Sequence, residues 1–165
     1  MSGRPEQLFP LFAGLETLTG VGPKTAKLLV QAEIEAPRDL LYALPYAVID
    51  RRRRASIRGV DPPQTVTVEI TVGAHRPPRN RGGAYRVHVD DAEADFQLVF
   101  FHARADYLKR ILPEGARRLV SGKLEIFDGL AQMVHPDHIL EPGEEAEMPE
   151  FEPVYHLTQG VSQKV

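Results

Sequence analysis

The run from Phe96 to His102 is the sequence feature that most constrains the fold of this 165-residue chain. Phenylalanine and leucine occupy every second position from Phe96 to Phe100, which is the period of a β-strand with one face in a core. The next segment, Arg104–Leu112, has helical spacing, and proline and glycine at residues 113–115 end that helix. Phe101 is therefore expected where a strand leaves its sheet, on the face opposite to the buried side chains. An aromatic ring at that point either covers the core or offers a flat surface to a ligand.

Four more strands are predicted around this one. Valine and isoleucine alternate with threonine and glutamate in the strongest of these signals, Thr65–Val72. The remaining strand signals are Tyr85–Val89, Leu119–Phe127 and Leu130–Leu140. Three strands, a helix and two strands is the order of the OB-fold, a five-stranded Greek-key β-barrel whose second and third strands and adjoining loops commonly bind single-stranded nucleic acid. Residues 51–140 are predicted to form this barrel.

Residues 1–50 are predicted to be helical, which makes the fold class α+β. Gly20 and Gly22 allow a tight turn with positive φ, and Pro23 suits the first position of a helix. A second helix, carrying three leucines, is expected between Ala36 and Pro45. Helix, Gly-Val-Gly turn and helix resemble a helix-hairpin-helix motif, in which backbone N–H groups at a helix N-terminus hold a nucleic-acid phosphate. Gly20, Gly22 and Lys24 are therefore candidate DNA-binding residues, although a helical pair that needs only a turn would use the same glycines.

Charge is segregated along the chain although the net charge is only −3. Eight arginines and three acidic residues lie between Asp50 and Arg81, whereas seven acidic residues and no lysine or arginine lie between Asp137 and Glu152. A locally basic surface is what a nucleic-acid binder needs, whatever its overall charge. Residues 141–165 are predicted to be an acidic linker with little to bury.

Three arginines fall in a predicted loop, His75–Gly83, that joins the first two strands of the barrel. Guanidinium groups of Arg76, Arg79 and Arg81 are suited to pair with phosphate or to stack on bases. The alternative is a solvated arginine loop, because blocks of like charge usually form exposed faces.

Several function classes are disfavoured by what the sequence lacks. Cysteine is absent, so a disulfide framework, a thiolate nucleophile and a cysteine zinc site are excluded. No apolar run reaches the ~18 residues of a membrane span, and a signal-peptide pattern is missing at the start, so we expect a cytoplasmic location and no membrane partner. His135 and His138 lack the spacing of a helical metal motif, and no Ser/His/Asp signature stands out. No catalytic residue, metal or cofactor is predicted within this chain.

Taken in order, several stretches resemble the N-terminal wedge region of the RecG family of ATP-dependent DNA helicases. The matching segments are Gly20–Ala26, Asp39–Pro45, Phe100–His102, Gly122-Lys123, Gln132–Pro136 and Pro153–Gly160. The resemblance implies an OB-fold that sits at a branched DNA junction and splits strands, while two downstream motor domains bind ATP and Mg²⁺ and pull the duplexes. It also implies a role in regressing stalled replication forks and migrating Holliday junctions during recombination and repair.

The resemblance gives the aromatic residues of this chain specific roles. An aromatic in the family's Phe-Phe-Asn stretch stacks on a base at the branch point, and Phe101 is the matching position. His102 replaces the usual Asn, and a second stacking aromatic would fall at Ala105, so its role is either missing or taken by Tyr107.

The resulting hypothesis is a non-catalytic, monomeric segment of a helicase that binds branched DNA and single-stranded DNA without reading sequence. Three alternatives remain open: a general single-strand-binding OB module, a protein–protein docking module, and a small metallohydrolase using His135 and His138. Salt-dependent DNA affinity separates DNA binders from docking modules, because phosphate contacts release counterions.

Overall fold

The computed structural model describes residues 5–80 and 82–155, which form two compact units. One unit contains the described residues up to Val48 and from Pro153 onwards, and the other spans Ile49–Glu152. The helices are α1 (Pro23–Gln31), α2 (Pro37–Leu40) and α3 (Ala105–Ile111), with short 3-10 helices at Glu6–Phe12, Leu15–Thr17 and Glu145–Glu147. The strands are β1 (Ala47–Asp50), β2 (Arg53–Arg54), β3 (Gln64–Arg76), β4 (Tyr85–Asp90), β5 (Asp95–Phe100), β6 (Arg117–Phe127), β7 (Leu130–Val134), β8 (His138–Leu140) and β9 (Phe151–Val154). Every described helix is too short or too polar to cross a membrane.

The glycine turn before α1 is built differently from the prediction. Gly20 has φ +86°, as the tight turn requires, whereas Gly22 is extended and serves as the N-cap of α1 with Pro23 at its first position. The prediction of positive φ at Gly22 was therefore wrong. The helix preceding this turn is a single 3-10 turn, so the helix-hairpin-helix resemblance holds for the turn and α1 only.

The second predicted helix is much shorter than expected, because α2 ends at Leu40. The Asp39 carboxylate accepts the backbone N–H groups of Ala36 and Glu35, which fixes the start of the helix and lowers the pKa of Asp39. Leu41 and Leu44 are 66% and 79% exposed. A short helix is stable only when an apolar face is packed, and the exposure of these leucines explains why the helix does not continue to Pro45.

Five strands of the second unit close into a barrel in the order β3-β4-β5-β7-β6, with β6 returning to pair with β3. Neighbouring strands are antiparallel except β5 and β7, which run parallel. The helix α3 lies between β5 and β6 in the chain, so the order is the three strands, helix and two strands of the prediction. The α+β fold class with a five-stranded OB-type barrel is confirmed.

The barrel interior is filled by alternate residues of every strand and by one face of α3. Valine and isoleucine of β3 point inwards, as the alternation predicted, and α3 adds Leu108, with its C-cap Leu112, both fully buried. The largest fully buried side chains are Phe96, Ile70, Leu98, Leu108, Leu112, Leu124 and Met133. Burial of this set is the main stabilising term, at roughly 1.5–3 kcal/mol per large side chain.

Two strand boundaries differ from the prediction. The strand β3 continues to Arg76 because a register shift between Val72 and His75 bends it without ending the pairing to β4, so the predicted loop begins after Arg76. His75 is then held by the Tyr85 hydroxyl at 3.0 Å and the Leu112 carbonyl at 2.8 Å. The predicted fifth strand is split into β7 and β8, because His135 adopts φ +46° and turns the chain.

The acidic segment after residue 140 is attached to the barrel by ion pairs. Arg51, which is only 3% exposed, bonds Glu152 at 2.6 Å and Asp137 at 3.0 Å and donates to Ser121 Oγ at 2.9 Å. Arg118 pairs with Glu141 at 3.2 Å. Besides these carboxylates, the described part of this segment contains β9 and a 3-10 turn, and most of its side chains are exposed.

Candidate nucleic-acid interface

Phe101 lies at the end of β5, where the chain turns away from the sheet. Phe100 is the last residue of β5 and is 6% exposed, whereas the side chain of Phe101 is 42% exposed. His102 follows with φ +57°, in the left-handed region that ends the strand. The backbone N–H of Phe101 donates to His135 Nε2 at 3.1 Å, and the two rings lie 6.0 Å apart. Phe101 therefore presents a ring face from a turn that is fixed by hydrogen bonding.

An open cleft of about 730 Å³ lies between this turn, α3 and the β7–β8 connection. Buried and half-buried apolar side chains form its floor, and its exposed charged or titratable side chains include His102, Arg104, Asp106 and Arg110. Tyr107 of α3 lines the cleft with half of its side chain exposed, and the Arg110 guanidinium lies 5.6 Å from the centre of its ring. The full lining is Phe100, His102, Ala103, Arg104, Asp106, Tyr107, Leu108, Arg110, Ile111, His135, Pro136 and Ile139. An apolar floor with two arginines beside it suits a nucleotide, which combines a phosphate with a flat base.

The arginine loop lies at the same end of the barrel as Phe101. Arg76 pairs in register with Arg86 at the start of β4, and the neighbouring Tyr85 pairs with Phe100. Arg76 and Arg79 are both exposed, whereas Arg81 lies outside the described residues. Strand pairing thus places Arg76 near the end of β5, and Arg79 follows in the loop that starts after Arg76.

The family model of the RecG wedge domain matches residues 15–165 of this chain. The chain belongs to the RecG wedge domain family.

Two curated relatives of this wedge are both named ATP-dependent DNA helicase RecG. The protein of Pasteurella multocida (strain Pm70) is 28% identical over 151 residues, and that of Acidithiobacillus ferridurans is 31% identical over 153 residues. Each alignment covers 90% of this chain but only 22% and 21% of the relative, so the chain spans about a fifth of the length of the curated relatives it matches. A solved structure of RecG bound to a three-way DNA junction superposes with a TM-score of 0.68 at 24% identity, covering 92% of this chain and 21% of that one, and this likeness shows the fold.

Three of the four consecutive arginines that precede the barrel strands, Arg51–Arg54, are paired with carboxylates. Arg52 pairs with Asp50 at 2.7 Å, and the hydrogen bonds from its side chain and backbone lower the pKa of Asp50 to about 2. Arg53 pairs with Glu69, and Arg51 is buried with its two carboxylates. These three arginines therefore stabilise the fold, and they contribute less to a phosphate-binding surface than the composition suggested.

Sequence reasoning missed Arg104 and Arg110 on the rim of the cleft. Arg104, Tyr107 and Arg110 are spaced three residues apart, which places them on one side of a helix. That spacing is the signal that could have identified them. His102 also fits its site, because histidine and asparagine are both enriched in left-handed backbone.

The remaining predicted contact residues belong to the other unit of the wedge chain. Gly20 forms the left-handed turn, and Gly22 and Lys24 flank the first position of α1. Lys24 is exposed, so its ammonium group is accessible to an anion from solvent. Among the described residues, no cluster of three or more histidine, aspartate or glutamate side chains is arranged to hold a metal ion.

Proposed function

We propose that this wedge segment binds branched DNA, such as replication forks and Holliday junctions, by shape and base stacking without sequence readout. Phe101 stacks on a base at the branch point. Tyr107 offers a second aromatic surface, and Arg76, Arg79 and Arg81 contact backbone phosphates. The observation that carries this proposal is the exposure of Phe101 on a fixed turn, next to a strand whose other aromatic side chains are buried.

The parent protein supplies the chemistry in this proposal. Relatives carrying this wedge are named ATP-dependent DNA helicases, so ATP hydrolysis with Mg²⁺ is proposed for motor domains outside this chain. The segment itself is inactive as an ATPase and separates strands while the motor moves the duplexes in fork regression, recombination and repair. We also propose a monomer working in the cytoplasm, with a helical region at 1–50, the barrel at 51–140 and a connection at 141–165. Gly20, Gly22 and Lys24 would add a phosphate contact from the helical region.

A second candidate is a general single-strand-binding module, which the closed OB-type barrel favours. Such a module would bind a plain single strand as tightly as a fork. It would also gain affinity with strand length, because contacts repeat along the strand.

Fluorescence anisotropy on the 165-residue chain separates these functions. A labelled three-way fork, a linear duplex and a single strand of equal length are compared at two salt concentrations. Fork preference supports the branch proposal, equal affinity for the fork and the single strand supports the general module, and salt-independent or absent binding contradicts both.

The residue-level test uses two variants of the same chain, each with a matched control variant. Phe101→Ala should weaken fork binding by roughly 5- to 150-fold, since base–aromatic stacking contributes ~1–3 kcal/mol per base. Phe127→Ala, which removes an exposed phenylalanine at the β6–β7 turn, is the matched control and should leave fork affinity unchanged.

Replacing Arg76, Arg79 and Arg81 by glutamine should reduce the slope of log affinity against log salt by about 0.7–0.9 for each phosphate that the variant no longer neutralises. Arg58→Gln, an exposed arginine elsewhere on the barrel unit, should not change that slope.

A further inference from the structure

We infer that His135 is a positioning residue that holds Phe101 in the orientation required for stacking, an inference that rests on the proposed function. His135 follows β7, the parallel neighbour of β5, and reaches across to the end of that strand. Its backbone N–H donates to the Val99 carbonyl at 2.9 Å, and its Nε2 accepts the backbone N–H of Phe101 at 3.1 Å. One residue thus holds β5 on both sides of Phe100.

The imidazole of His135 also packs between the two aromatic rings at this strand end. Its centre lies 6.0 Å from that of Phe100, edge to face at 89°, and 6.0 Å from that of Phe101 at 39°. Phe100 is anchored in the core, so the imidazole connects the exposed ring to a fixed one. Removing it would free both the backbone and the ring of Phe101.

The left-handed backbone at His135 allows its side chain to contact the end of β5. Its φ of +46° turns the chain sharply after Val134, so that the side chain folds back over the end of β5. Non-glycine residues adopt this conformation infrequently, and histidine, asparagine and aspartate are the ones that do so most readily. The residue type therefore serves two purposes, the turn and the acceptor nitrogen.

The hydrogen bond exists only while Nε2 of His135 is unprotonated, with the ring proton on Nδ1. An imidazolium has two donor nitrogens and no acceptor, so protonation removes the bond to Phe101. The other ionisable groups around the same cleft are His102, Arg104, Asp106, Tyr107 and Arg110, with Asp137 and His138 following in the chain, whereas Phe100 and Phe101 carry no charge. His102 carries the other imidazole of the cleft, so its contribution to binding must be controlled.

Two substitutions at His135 separate the acceptor from the turn, and a third controls for His102. His135→Asn keeps a residue suited to left-handed backbone, but its amide ends near the position of Nδ1 and falls short of Phe101. His135→Gln extends an amide acceptor to the position of Nε2. His102→Asn removes the other imidazole from the cleft while preserving the backbone preference at residue 102.

Fork and duplex affinities of the 165-residue chain give the first readout. His135→Asn should reduce the ratio of fork to duplex affinity about two- to tenfold, the effect of losing one hydrogen bond, and His135→Gln should restore most of it. The double variant Phe101→Ala/His135→Asn should lose no more fork affinity than Phe101→Ala alone, because His135 acts through Phe101. The loss caused by His135→Asn should be the same in a His102→Asn background, because His135, and not His102, accepts the Phe101 N–H.

Amide hydrogen exchange, followed by NMR, gives a readout that needs no DNA. The Phe101 amide should exchange faster in His135→Asn than in the wild type, and His135→Gln should bring the rate back. Fork discrimination by His135→Asn equal to that of the wild type, or an unchanged Phe101 exchange rate, would overturn the inference. If Phe101→Ala itself leaves fork binding intact, the proposed function fails. If Phe101→Ala loses fork binding and His135→Asn does not, only the role of His135 fails.

Discussion

At the scale of single residues, Arg51 shows how the charged segments of this sequence are used. Its guanidinium is almost fully buried and bonds Glu152, Asp137 and Ser121 Oγ, and the Ser121 hydroxyl also accepts a hydrogen bond from Thr67 Oγ1 at 2.8 Å. A charge removed from water is tolerated only when it is paired and hydrogen-bonded. Arg51 therefore joins residues that are far apart in the chain, and its role is structural.

Arg51→Met should lower the free energy of unfolding by about 2–3 kcal/mol, somewhat less than loss of a fully buried pair because both carboxylates keep part of their hydration. Urea denaturation at neutral pH measures the change. Arg52→Gln is the matched control, since Arg52 and Asp50 are both exposed and such pairs contribute ~0–1 kcal/mol. Equal losses in the two variants would contradict the role assigned to Arg51.

Asp91 anchors the turn between β4 and β5 and makes stability depend on pH. Its carboxylate accepts the backbone N–H groups of Ile57, Glu93 and Ala94 and the hydroxyl of Ser56. Burial raises the pKa of Asp91, but these hydrogen bonds together outweigh burial and lower it. A carboxyl whose pKa is lower in the folded state stabilises the fold above its unfolded value near ~3.9, and that stability is lost as pH falls through the folded pKa.

Asp91→Asn should therefore lower the free energy of unfolding by about 1–3 kcal/mol at pH 7. This difference in stability between the variant and the wild type should become smaller in acid, as the carboxyl of the wild type becomes protonated. Urea unfolding of both proteins at about pH 7 and pH 3 checks this sign. A difference that widens in acid would show that the hydrogen bonds do not favour the charged form.

At the scale of elements, the break between β7 and β8 depends on a glycine in β6. A Cβ on Gly122 would lie 2.8 Å from the Met133 sulfur and 3.0 Å from the Pro136 Cα, so the chain that turns at His135 passes directly over this position. Glycine is needed here for close approach rather than for its backbone freedom.

Gly122→Ala should destabilise the protein by about 1–3 kcal/mol, because the backbone at Pro136 has to move. It should also reduce fork preference, since the displaced segment carries His135. Thermal melting and anisotropy measure the two effects. Gly14→Ala, where a Cβ meets open space at an ordinary φ, should be neutral or slightly stabilising.

Local pattern was sufficient to predict the five barrel strands, their order along the chain and the position of Phe101 at a strand end, but not the short strands β1, β2 and β9. Alternation over Thr65–Val72 and Phe96–Phe100 is a property of a few neighbouring residues, and so is the helical spacing that follows. The split of the last strand could not be predicted, because the turn at His135 needs the space left by Gly122, which lies on the neighbouring strand β6. The partners of Arg51 are set by strand pairing between distant segments, which is why the sequence indicated a basic surface where the fold forms ion pairs.

At the scale of the whole molecule, the barrel unit contains its own core, helix and ion pairs. Residues 49–152 include every strand of the closed barrel, α3 and both Arg51 partners. The fragment 49–152 should therefore fold and unfold in one cooperative transition with β-type circular dichroism. Arg51→Met should lower the melting temperature of this fragment, because it removes the same ion pairs as in the full chain. A broad, non-cooperative transition in the unmodified fragment would show that the barrel needs the other unit.

Closure of the barrel also determines how late in synthesis the chain can complete its fold. Val68 on β3 pairs with Val120 on β6, and Val99 on β5 pairs with Val134 on β7, so the ring is joined by contacts between residues far apart in sequence. Topologies dominated by such contacts fold in roughly milliseconds to seconds, slower than helical proteins of similar size. During synthesis, β3, β4 and β5 leave the ribosome before β6 and β7, and their apolar face stays uncovered until β7 has emerged. The interval between those two events is when a chaperone, or a premature arrest of translation, would have the greatest effect on this protein.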